Sequence, residues 1–242
     1  MKFVFVTLFP EQIEAAADHS MLKRAMDTGI LQMECVNPRD FSLNRHHSVD
    51  DAPFGGGVGM VLKPEPVVEA IRVARAKAPG APVIAMSPGG CTCKQLLAEE
   101  WAKNEKGLIF LCGHYEGFDE RIYHWVDLKI SIGDFVLTGG ELPALMIMDA
   151  VSRFVPGVLG KLASAEEDSF SSGLLEYPQY TRPVVFEGME VPEVLRSGNH
   201  KLIARWRRKQ ALKVTYLLRP DMLPEELDKQ DKKLLEEIKE EL

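Results

Sequence analysis

The segment SIGDFVLTGGELPA, Ser131 to Ala144, sets the architecture expected of this chain. It runs from an extended apolar stretch through an acid, a glycine pair and a proline into an apolar pattern of helical spacing. Such a turn between strand and helix usually cradles a phosphate at the helix N-terminus. This one matches neither G-x-x-x-x-G-K-[ST] nor G-x-G-x-x-G, so phosphate is not the expected ligand. Strand, glycine turn and helix in succession still imply an α/β fold.

The flanking sequence repeats the theme. KFVFVTL (2–8), LQMECV (31–36), PVIAMS (82–87), KGLIFLC (106–112) and the segment around DLKISI (127–132) read as strands. Helical spacing shows in residues 64–78, 94–104 and 141–155. The alternation predicts a largely parallel sheet. The strands are apolar nearly throughout, as expected when helices cover both faces. Residues 156–183 carry Gly, Ser, Pro and acids without a period and read as a connection. Helical patterns resume at PEVLRSG, HKLIARWRRKQALKVTYLL and PEELDKQDKKLLEEIKEEL, which predicts a small all-helical domain at the C-terminal end.

At 242 residues, with 45% hydrophobic and 27% charged residues, the chain has the composition of an ordinary soluble globular protein. No apolar run approaches the roughly 20 residues that span a bilayer. MKFVFVTLFPEQ meets Pro10 and Glu11 too early for a signal peptide, so a cytoplasmic location is expected. Cys35, Cys91, Cys93 and Cys112 lack the paired spacing of a zinc site and read as reduced thiols. The net charge of −7 disfavours attraction of the whole surface to nucleic acid, yet eight Lys or Arg and no acid lie between Arg196 and Arg219. A local basic stripe of that kind can dock an RNA backbone.

Four glycine-bearing loops are candidates for chemistry: DDAPFGGGVGM (50–60), SPGG (87–90), GHYEGFDER (113–121) and SIGDFVLTGGELP (131–143). In open α/β sheets, ligands sit beyond the carboxyl ends of the strands, so convergence of the last three on one small-molecule site is expected. GGGVGM reads equally as a flexible turn or as a backbone surface approached by a partner. Glu116 precedes a helix start and suits a site role, whereas Asp119 and Glu120 suit the first turn. His46, His47, Asp50 and Asp51 match no closed metal pattern. Arg153 ends an apolar helix, where a cation is favoured by the dipole alone. Asp168 lies in the connection, where an acid is ordinarily just solvated.

NPRDF (37–41), SVDDAPFGGGVGM (48–60), CGHYEGFDER (112–121), SIGDFVLTGGELPA (131–144), RFVPGVLGKLASAEEDSF (153–170) and YTRP (180–183) follow one another with ordinary spacing. In this series the chain closely resembles the bacterial tRNA (guanine-N1-)-methyltransferases of the TrmD family, over nearly its whole length and least in the last twenty or so residues. The resemblance implies methyl transfer from S-adenosyl-L-methionine to N1 of the guanosine immediately 3′ of the anticodon. It implies a SPOUT-class fold: a parallel sheet with a deep trefoil knot, followed by the small helical domain. The expected division is a knotted methyltransferase domain over 1–160, a flexible linker over 161–175 and a tRNA-binding domain over 176–242. A homodimer with active sites shared between chains and a dependence on Mg²⁺ at an unknown site are also implied. The alternative is a catalytically silent anticodon-arm binding protein on the same fold.

Carried over by position, the cofactor residues are Met86, Ser87, Pro88, Gly89, Leu111, Gly113, Tyr115, Gly117, Ser131, Ile132, Gly133, Asp134, Phe135, Val136, Leu137, Gly139 and Gly140. Asp168 matches the general base, Arg153 its companion and Glu116 a carboxylate needed for activity. Asp50, Gly55, Gly56, Gly57, Gly59 and Ser164 fall where the family meets the target nucleotide. Arg205, Arg208 and Lys209, on the basic stripe with Trp206 interleaved, are expected at the tRNA backbone. The chain departs from the family pattern at Phe54, Val58, His114 and Phe135, where tyrosine, proline, arginine and tyrosine are expected. Guanine N1 carries a proton at neutral pH, so a carboxylate that removes it and a guanidinium facing O6 are the chemistry required. For Asp134 two roles stand open: facing a cationic ligand or capping the turn.

Overall fold

The computed structural model describes residues 1–160 and 168–242, in two compact units, Met1–Leu162 and Ala163–Leu242. In the first unit, five parallel strands form one sheet: β1 (Lys2–Val6), β2 (Gln32–Val36), β5 (Val83–Thr92), β6 (Leu108–Leu111) and β7 (Leu128–Ser131), in the order β2-β1-β6-β5-β7. All five expected strands are present. A separate two-residue ladder joins β3 (Asp50–Asp51) to β4 (Val61–Leu62).

Alternation along β1 distributes its side chains to two cores. Phe3 and Phe5 point to one face, where they meet Phe110 at ring-centroid distances of 6.2 and 5.2 Å. Val4 and Val6 point to the other, with Val83, Ala85, Ile109 and Leu111. Both faces are dry, so each fully buried Phe or Ile contributes roughly 1.5–3 kcal/mol. Helices α1 (Pro10–Ala17), α2 (Ser20–Asp27), α4 (Gln95–Ala102) and α5 (Glu141–Ser152) carry residues of the Phe face, and α3 (Pro64–Lys77) covers the Val face. Helix α3 opens on Pro64 and Glu65 and closes on Arg75 and Lys77, which suits its dipole. Helices α1 and α2 are short and break at His19–Ser20, where Ser20 takes φ 52°, so no sustained period announces them.

One expectation is corrected here. SPGG does not simply follow a strand; it is an excursion inside β5. Met86 and Cys91 both pair with Ile130, and Thr92 then rejoins β7 opposite Ser131. Gly90 makes the re-entry possible, because a Cβ there would lie 2.4 Å from Ile130 N.

Among the described residues the second unit has three α-helices, α6 (Glu193–Arg196), α7 (His200–Leu218) and α8 (Lys229–Glu240). It also holds a hairpin of β8 (Val185–Phe186) and β9 (Met189–Glu190), so it is not all-helical. Glu187 and Gly188 take positive φ at the two-residue turn, which shapes the hairpin. Asn199 caps α7 by accepting from the backbone N–H groups of Lys201 and Leu202, and Asp228 caps α8. Leu174, Ala211, Leu212, Leu234 and Ile238 form its core. Leu174 is buried there and Leu175 N–H donates to Thr215 Oγ1, so the C-terminal part of the expected 161–175 linker is packed structure.

Candidate active site

The excursion inside β5 meets the loops beyond the carboxyl ends of β6 and β7. His114 and Gly139 form an antiparallel bridge, and Gly140 N–H donates to Gly113 O at 2.9 Å. The glycine pair permits this approach. A Cβ on Gly140 would lie 2.7 Å from Cys112 Cα, and one on Gly139 would lie 2.3 Å from the His114 ring. Gly113 is likewise pressed by the Phe118 ring, 2.7 Å from where its Cβ would be. Tyr115 adopts φ 59°, a left-handed conformation that is costly for a non-glycine residue.

A cleft of about 310 Å³ lies between these loops. Met86, Ser87 and Pro88 line it from within β5, Gly113, Tyr115 and Gly117 after β6, and Ser131, Ile132, Gly133, Phe135, Val136, Leu137, Gly139 and Gly140 from β7 to α5. Three expected cofactor residues are not part of its wall. Leu111 is buried in the sheet, Gly89 points outward at the tip of the β5 excursion, and Asp134 is exposed. Glu116 is the carboxylate that lines the cleft, and among the lining residues there is no Lys or Arg.

Residues of the 52–60 loop rest on Glu116. Glu116 N–H donates to Met60 O, and Leu62 N–H donates to Gly117 O. Gly59, at φ 92°, leaves the space Glu116 needs, since a Cβ would lie 2.3 Å from its Oε1. Gly55, Gly56 and Gly57 all have positive φ, and Phe54 and Val58, on either side of them, are exposed. Asp50 pairs with Leu62 at the base of this loop. Arg153 caps the C-terminal end of α5 and is half-buried. Asp168 is half-buried in the second unit, and Ser164 lies outside the described residues.

Sequence reasoning missed Tyr123 and Ile130 of the wall, while His114, Phe118, Thr138 and Pro143 lie in the loops it expected without being named for the cofactor. Tyr123 sits on a six-residue 3-10 helix, Glu120–Trp125, and is bonded to Ser87 through its hydroxyl, while Lys129 Nζ stands 3.3 Å over its ring. Burial raises the Tyr123 phenol, Glu120 adds to it and the Ser87 bond opposes it. Cys35 is pushed up to about 12, chiefly by burial, and Cys112 well above the thiol range by burial and by Glu141. Neither is a ready thiolate nucleophile.

The residues of the basic stripe have acidic partners. Arg205 and Lys209 both pair with Glu237, Lys209 also with Glu241, and Arg208 forms a two-pronged pair with Asp231. Asp231 and Glu237 of α8 and Glu241 at its C-terminal cap supply these partners. Trp206 is half-buried, 6.2 Å from the Tyr180 ring.

A family model described as tRNA (Guanine-1)-methyltransferase TrmD matches residues 1–225. The chain belongs to the TrmD family. It is 55% identical over 241 residues to the tRNA (guanine-N(1)-)-methyltransferase of Dehalococcoides mccartyi, covering 98% of this chain and 97% of the relative. The enzyme of the same name from Desulfitobacterium hafniense is 53% identical over 239 residues, 98% of this chain and 90% of the relative. That from Latilactobacillus sakei is 52% identical over 243 residues, 100% and 98%. The TrmD match stops short of α8, the helix whose acids hold Arg205, Arg208 and Lys209. No described helix is long and apolar enough to cross a membrane.

Proposed function

We propose that the chain transfers a methyl group from S-adenosyl-L-methionine to N1 of the guanosine immediately 3′ of the anticodon of tRNA. The observation that carries this reading is the composition of the cleft: backbone edges, apolar side chains, the neutral hydroxyls of Ser87, Tyr115, Tyr123, Ser131 and Thr138, one carboxylate, and no lysine or arginine. A phosphate's charge is best met by a cation, and the carboxylate of Glu116 would repel it, whereas a sulfonium is served by close backbone approach and one negative charge. The cleft volume lies at the small end of the range for ligand pockets. S-adenosylmethionine, once bound, supplies an electrophilic methyl on a good leaving group.

The remaining work falls to the chain. The loops of residues 86–88, 113–117 and 131–140 hold the donor in line, which supplies much of the barrier reduction. Asp168 removes the N1 proton, and Arg153 stabilises the charge that develops at O6. Glu116, under Gly59, faces the cleft and the nucleotide loop. Among the described residues no group of three His, Cys, Asp or Glu side chains is placed to hold a metal ion. The described donor set therefore does not fit a protein-built Mg²⁺ cage.

A knot over the region of β6, β7 and the loop to α5 is part of the same reading. β5 lies between β6 and β7 in the sheet, yet the segment after β7 returns to bond at Gly113 and His114. A second copy of the chain completing each site is also proposed. Its support is an apolar cavity of about 550 Å³ walled by Leu22, Leu142, Leu145 and Met146, which shares Ile132, Phe135 and Leu137 with the cleft. The second unit is the proposed tRNA-binding domain and the cytoplasm the proposed compartment. Incubation with labelled S-adenosylmethionine and tRNA transcripts tests the reading, which requires transfer to a transcript with guanosine after the anticodon. Binding of that transcript without any transfer would leave the silent RNA-binding alternative standing instead.

A further inference from the structure

We infer that His114 is a positioning residue for the cofactor cleft, acting through the buried carboxylate of Glu141 and the hydroxyl of Thr7. The inference deepens the proposed reading of the cleft as an S-adenosylmethionine site and rests on it. Glu141 opens α5 and is 1% exposed. Its Oε1 accepts from Thr7 Oγ1 at 2.6 Å, and its Oε2 lies 2.7 Å from His114 Nε2. His114 lines the cleft, whereas Thr7 and Glu141 do not. One carboxylate thus ties together the end of β1, the loop after β6 and the start of α5.

Burying a carboxylate is costly unless its oxygens receive hydrogen bonds. Oε2 accepts, so His114 Nε2 must be the nitrogen that carries hydrogen, whatever the state of Nδ1. That requirement fixes the tilt of the imidazole. Phe9 holds the ring from one side, with centroids 4.8 Å apart, and backbone Gly139 lies against its Cε1–Nε2 edge. The imidazole is therefore a spacer of fixed orientation between the 113–117 and 138–140 loops. Removing its donor leaves a buried oxygen in want of a partner, and the cheapest relief is to open the loops to water. Such opening alters cofactor affinity before it alters the chemical step.

The test uses the full chain with His114→Leu, His114→Gln and Thr7→Val. S-adenosylmethionine affinity is read by titration calorimetry, KM and kcat by methyl transfer, and folding by thermal melting. Leucine removes the donor, while glutamine places an amide N–H near the position of Nε2. Thr7→Val strikes the same carboxylate from outside the cleft. His114→Leu and Thr7→Val should each weaken cofactor binding about 10-fold or more, the cost of stranding a buried charged acceptor. Loss of positioning should appear in KM, with kcat within about threefold. His114→Gln should recover most of the affinity. Unchanged affinity in Thr7→Val, or equal losses in the Gln and Leu variants, overturns the inference. Should His114→Leu fail to fold, the Thr7→Val and His114→Gln comparison decides alone. If the unaltered chain binds no S-adenosylmethionine, the reading of the cleft falls first and takes the inference with it.

Discussion

Gly140 shows how little room the site leaves at the level of single atoms. Its missing Cβ would meet backbone at Cys112 and Gly113, which cannot swing aside as a flexible side chain would. Gly140→Ala should therefore cost about 1–3 kcal/mol of stability, as overpacking does. It should also lower S-adenosylmethionine affinity more than any change at the exposed 54–58 loop tip, as calorimetry would show. Asp168 predicts a different signature. Asp168→Ala should slow single-turnover methyl transfer about 10²–10⁴-fold with cofactor affinity unchanged, because its proposed work is proton removal. Equal rates in variant and parent would remove it as the base.

At the level of elements, helix α7 was legible from the helical pattern of HKLIARWRRKQALKVTYLL, and the structure adds Asn199 as its cap. The five strands were legible because each is a short apolar run bounded by turn residues. What was not legible depends on partners distant in the chain. Nothing local in GHYEGF marks His114 as the partner of Glu141, 27 residues on, or Tyr123 as bonded to Ser87. The β5 excursion was hidden for the same reason: re-pairing of Cys91 and Thr92 is a property of β7. The ion pairs of the basic stripe were not legible for the same reason, since Asp231, Glu237 and Glu241 lie more than twenty residues on.

Helix α8 makes a pH prediction. Lys209, and after it Arg205, hold the Glu237 carboxylate below its ordinary range. Glu237 therefore contributes stability above the unfolded-chain value of about 4.3, and loses that contribution as pH falls through its folded value. Melting curves of the parent and Glu237→Gln should differ at pH 7 and converge at low pH. A gap that widens with acid would contradict the assignment.

For the whole molecule, the apolar wall of α5 and the cleft share one loop, so association and cofactor binding should be coupled. Met146 is 56% exposed in the single chain. Met146→Glu would place a charge in the middle of the proposed contact and should yield monomers by sedimentation, with methyl transfer lost if sites are shared. A monomer of full activity would refute the shared-site arrangement. The account's central claim is tested most directly by one assay on the unaltered chain. Labelled S-adenosylmethionine is supplied with two tRNA transcripts that differ only in having guanosine or adenosine immediately 3′ of the anticodon. The account predicts label at N1 of that guanosine and none on the adenosine transcript; label on neither, or on both alike, would contradict it.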